Sequence, residues 1–128
     1  MMRGAVLAGA LLAAGSAGAG EVTVEAVELV PGSGGWTAHV TLRHADAGWD
    51  HYADAWRLVG EDGAVIGTRT LYHPHVDEQP FTRSLDGLRI PPDARAVTLQ
   101  GHDKVHGWGA PLSIDLTRDA GPGWRIRR

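Results

Sequence analysis

The chain has 128 residues, a formal net charge of -3 and no cysteine. That length suits one domain behind a short leader, and the mild negative charge leaves no basic footprint for nucleic acid. Without cysteine there is no disulfide, no c-type haem attachment and no thiolate ligand; both methionines are residues 1 and 2, so the rest of the chain offers a metal only nitrogen and oxygen donors.

Arg3 precedes an apolar run from Ala5 to Ala14, followed by small residues ending at Ala17-Gly18-Ala19. This pattern predicts a secretory signal peptide over residues 1–19. The run is shorter than the roughly 20 apolar residues that cross a bilayer, and no second apolar stretch follows, so no transmembrane segment is predicted. The expected product is secreted, into the periplasm or the medium.

Residues 20–118 read as one all-β domain. Seven runs with period-two alternation and β-branched residues lie between turn signals: Val22 to Val30, Trp36 to His44, Ala55 to Val59, Val65 to His73, Phe81 to Leu85, Ala96 to His102 and Leu112 to Leu116. In the second run Trp36, Ala38, Val40 and Leu42 share one face. In the last, Leu112, Ile114 and Leu116 do. About seven short strands in this length predict a single antiparallel β-sandwich of immunoglobulin-like or fibronectin-like architecture. Residues 119–128, basic and set off by Gly121-Pro122-Gly123, read as a solvated tail.

If successive strands are antiparallel, the connections after strands one, three and five lie at one end and those after two, four and six at the other. The first set is turn chemistry built from Gly, Pro and Asp. The second set holds six of the seven histidines. Turns have no need of imidazoles, and scaffolds carry binding groups on loops at one end.

Three constellations fall there. His73-Pro74-His75 places two imidazoles on one side of an extended segment stiffened by proline, a possible chelate for one divalent ion. His102, Asp103 and His106 follow, with Asp103 and His106 spaced to meet in a tight loop. The stretch from Arg43 to Asp54 adds His44 and His51. Strand phase puts His44 on the Val40 and Leu42 side, favouring a buried, hydrogen-bonded role. Asp46 and Asp50 read as turn or cap residues. Trp49, Tyr52 and Trp108 form the candidate contact surface for a ligand or partner, although Trp108 can equally cap the core. Arg83, in phase with Phe81 and Leu85, is expected to pair with an acid such as Asp54, and His39 is expected to be solvated.

Imidazole and carboxylate donors suit Zn(II) or Cu(II). The favoured ligands are His73, His75, His102 and His106, then His44, His51 and Asp103. An exported metal-binding protein is therefore the leading expectation, with an interaction module for an exported protein or glycan as the alternative. An enzyme using a bound metal trails both, since small sandwiches have filled cores and no substrate pocket is read in the sequence; neither a phosphate loop nor a dinucleotide fingerprint is present, and no serine stands beside a positioned base. The strings HPHVDEQPFTRSL, GWDHYADAW and VHGWG, within residues 36 to 110, resemble a type of small exported protein of uncharacterised function found in proteobacteria. The resemblance implies export and carries no activity, cofactor or partner.

Overall fold

The computed structural model describes residues 21–128; the predicted signal peptide lies outside them. Among the described residues ten strands run in chain order: β1 (Thr23–Val30), β2 (Trp36–Arg43), β3 (Ala53–Gly60), β4 (Val65–Thr70), β5 (Phe81–Leu88), β6 (Ala96–Asp103), β7 (Gly107–Trp108), β8 (Leu112–Asp115), β9 (Ala120–Gly121) and β10 (Trp124–Ile126). One sheet has the order β5-β2-β1-β10-β9. The other has the order β4-β3-β6-β7, with β8 also paired to β6. The fold is an all-β sandwich, and each of the seven predicted runs overlaps one of its strands.

Burial follows the alternation. Ala38, Val40 and Leu42 of β2, Trp56 and Leu58 of β3, Val97 and Leu99 of β6 and Ile114 of β8 are buried and belong to one core together with Leu29, Phe81 and Leu88. Period-two strands place successive side chains on opposite faces, so each sheet contributes every second residue to the space between them. Along β6 the inward set continues past Val97 and Leu99 to Gly101 and Asp103. A carboxylate thus stands where the pleat calls for a core residue.

The C-terminal segment corrects the solvated-tail expectation. Trp124–Ile126 form β10, which pairs parallel to β1 in the register Val27↔Trp124 and Leu29↔Ile126. The Gly-Pro-Gly segment is a hairpin turn, with Ala120↔Arg125 and Gly121↔Trp124 across it. Pro122 presets its own φ and Gly123 takes a φ of 79°, the positive value that a glycine adopts without cost. Gly121 is equally constrained, because a Cβ there would stand 2.6 Å from the Trp124 ring. Trp124 and Ile126 are 7% and 5% exposed and join the core. Arg125, Arg127 and Arg128, the basic residues that suggested a tail, lie on the surface and pair with Glu28 and Asp119.

Trp124→Ala is expected to destabilise the fold by about 3–5 kcal/mol, as large-to-small truncation of a buried aromatic does. Arg128→Ala should cost no more than about 0.5 kcal/mol. Denaturant midpoints of the two variants beside the parent protein measure the difference.

Candidate functional site

Three connections converge at the end of the sandwich where the histidines were expected: β2–β3 (residues 44–52), β4–β5 (residues 71–80) and β6–β7 (residues 104–106). His44 sits at their meeting point with a fully buried side chain. Its Nδ1 donates to Asp46 Oδ1 at 2.6 Å, and its Nε2 lies 3.3 Å from Asp103 Oδ2. One imidazole is therefore held between two carboxylates, both of them 0% exposed at the side chain.

Asp46 is the structural hub. Besides the His44 ring, its Oδ1 accepts from the main-chain N–H of Ala53 at 3.1 Å, and its Oδ2 accepts from the N–H of His75 at 2.6 Å. One side chain thereby ties the β2–β3 connection to the start of β3 and to the β4–β5 connection. Gln79 adds a second tie, accepting from the His44 N–H at 2.9 Å and donating to the His75 carbonyl at 2.8 Å. Neither residue was among the sequence candidates. The available signal was Asp46 two residues beyond an inward-phased histidine, where its carboxylate can turn back on the ring.

Asp103 closes the β6–β7 turn on itself. Its Oδ1 accepts from the N–H groups of Val105 and His106 at 2.8 and 2.5 Å, and the His106 Nδ1 donates to its Oδ2 at 3.0 Å. Burial pushes its carboxyl up, but the two main-chain donors and the His106 ring outweigh that effect and hold it below the ordinary value of 3.8. The His51 Nε2 approaches Asp103 Oδ1 to 3.6 Å. The rings of His44 and His51 meet edge to face at 4.8 Å, and His106 lies 5.1 Å from His51. One ligand atom each from His44, His51 and Asp103 falls within 4.8 Å of the others.

The favoured pair is arranged otherwise. His73 is exposed, whereas His75 is buried and stacked on Phe81 with ring centroids 3.9 Å apart. The His75 Nε2 accepts from Arg83 Nη2 at 2.9 Å, which turns its lone pair toward a guanidinium. The two rings are neighbours at 4.7 Å, yet they do not form a chelate, because packing on Phe81 and the Arg83 contact command the His75 ring. Arg83 accordingly meets His75 and Glu78 rather than Asp54.

His102 also leaves the group. It is out of phase with Asp103 on β6, so its Nδ1 bonds to Asp54 on the other side of the sheet. There it meets the edge of Trp108, over which Arg57 lies at 3.9 Å from the ring centroid. Trp108 thus belongs to an outer-face stack and does not cap the core. Tyr52 is buried, while Trp49 is exposed and packs edge to face against it at 5.7 Å. His39 is not simply solvated, since its Nδ1 bonds to Ser84 Oγ at 2.6 Å across the β2–β5 pair.

No protein-family model and no solved structure matches the chain. Among curated proteins it is 43% identical over 75 residues to a "Putative lipoprotein" of Halomicrobium mukohataei, an alignment covering 59% of this chain and 36% of that protein. The chain therefore spans little more than a third of that relative's length. Among the described residues, no helix is long and apolar enough to cross a membrane.

Burial, first, and then the positive charges of Arg83 and His73 press the His75 ring below its ordinary value of 6.5, against the pull of Asp46 and Glu78. The unfolded chain therefore takes up this proton at a higher pH than the native one does. The resulting stability is fully present above pH 6.5 and falls as the pH drops through and below it. His75→Gln should remove that share of the acid sensitivity. Denaturant midpoints of variant and parent on either side of pH 6.5 should diverge in slope, and parallel curves would dispose of the assignment.

Proposed function

We propose that the protein is an exported binder of a divalent transition ion, Cu(II) or Zn(II), held by His44, His51 and Asp103. The observation that carries this reading is the charge balance of the buried group. Asp46 and Asp103 are both buried, and their ion-pair partners among the described residues are all histidines. No lysine or arginine there lies within ion-pair distance of either. Two buried carboxylates need compensating positive charge. It can come from protons on the surrounding imidazoles or from a divalent ion, whose charge matches theirs.

The donor chemistry supports the ion. Asp46 bonds to Nδ1 of His44 while Nε2 faces Asp103, which is the carboxylate-histidine arrangement that orients imidazole ligands and raises their basicity. Two imidazoles and a carboxylate form a common set for three-ligand zinc sites and serve Cu(II) equally. Tetrahedral coordination at about 2.0–2.1 Å puts donors about 3.3 Å apart. The His44 and Asp103 atoms already stand at that spacing, so His51 supplies the remaining closure. Export is supported by the leader pattern of residues 1–19 and by the lipoprotein description of the archaeal relative.

A second reading, a recognition surface for an exported protein or glycan, draws on a separate observation. Trp49, Tyr72, Val76 and Val105 are exposed on the three converging connections and give that end of the sandwich an apolar rim.

Calorimetric titration of metal-free, untagged protein with Zn(II) and Cu(II), with elemental analysis, tests the first reading. One equivalent should bind. His51→Ala should abolish binding while keeping the fold, since its side chain is partly exposed. Asp46→Asn should weaken binding about 10–100-fold, and His73→Ala should leave it unchanged. Absence of binding by the folded parent protein defeats the ion and leaves the recognition surface.

A further inference from the structure

The walls of the proposed ion site are uneven. On one side His44 and Asp103 are fully buried at the side chain, and Asp46, His75 and Gln79 lie behind them in the hydrogen-bonded network. On the other, His51 and His106 keep 27% and 33% of their side-chain exposure. The next residue, Gly107, borders open space, since a Cβ there would meet no atom within 4 Å.

His106 is the one remaining imidazole at this opening, and it is otherwise engaged. Its Nδ1 donates to Asp103 at 3.0 Å from Oδ2 and 3.2 Å from Oδ1, and its main-chain N–H donates to the same carboxylate. It braces Asp103 from outside and supplies no fourth donor in this geometry. Zinc sites that serve only structure close with four protein ligands, whereas three protein ligands leave a position for solvent or a substrate.

We infer that the bound ion keeps its fourth position open between His51 and His106, and that this position takes an exchangeable small ligand, water at rest and a monodentate anion when one is offered. The inference rests on the ion-binding reading above. With Asp46 and Asp103 balancing a divalent ion, a neutral water completes the site without net charge. Lys104, exposed in the same connection, favours the approach of an anion. The chemical class implied is a small oxygen or nitrogen donor anion that reaches the ion directly from solvent.

Cu(II) gives this inference a spectroscopic readout. The parent protein is loaded to one equivalent, freed of excess metal, assayed for copper and titrated with azide, and absorption and electron paramagnetic resonance are followed. The expected result is a new azide-to-copper charge-transfer band that saturates at one azide per ion while the copper stays bound. An unchanged spectrum with copper retained overturns the open position, as does removal of the copper by azide. His106→Ala supplies the second arm: a response in that variant but not in the parent protein identifies His106 as a fourth ligand and also overturns the inference. If the parent protein retains no copper at the loading step, the ion-binding reading itself fails, which the copper assay registers before azide is added.

Discussion

Burying a carboxylate among apolar strands is costly unless its oxygens are met by donors and its charge by an opposite one. Asp46 and Asp103 share the imidazole of His44 between them, and the arrangement of this end of the sandwich follows from how their oxygens are met. Asp46 collects main-chain donors from two connections, Asp103 collects two from a third, and the imidazole between them joins the two carboxylates. Three connections are thereby held in one geometry. The same feature that stabilises them gathers nitrogen and oxygen donors around a point a few ångströms across.

Much of the fold was legible because alternation in a half-buried strand leaves little freedom of register. Trp36 to Leu42 and Leu112 to Leu116 carry their inward faces openly, and a single core receives both. The strands that escaped notice are two or three residues long. β10 in particular is disguised by arginines, because in Trp124-Arg125-Ile126 only the first and third residues face inward, and three residues are too few to establish a period. Its parallel pairing with β1 also joins segments from opposite ends of the chain, a long-range contact with no local signature.

Counting strand ends located the candidate site, since the parity of the connections placed the three histidine-bearing loops together. Ranking the histidines within it depended on strand phase. Phase correctly turned His44 inward, and the same rule applied to β6 separates His102 from Asp103, sending one to the outer face and the other to the core. The spacing of His73-Pro74-His75 invites a chelate only while the surroundings are unknown. Phe81 and Arg83, distant from that motif by several residues, decide where the His75 ring goes, and tertiary contacts of this kind leave no periodic trace.

The C-terminal hairpin also determines where the first sheet stops. β10 meets the main-chain groups of β1 from Val27 to Leu29, with Val27 N–H donating to Gly123 O and Arg127 N–H donating to Leu29 O, both at 2.9 Å. Without it β1 would become a margin of the sheet, presenting a row of unmet donors and acceptors backed by Val27 and Leu29. Exposed margins of that kind recruit strands from other molecules. The β9–β10 hairpin thus acts as a selvedge, covering main-chain groups of β1 that would otherwise stand open to strand addition.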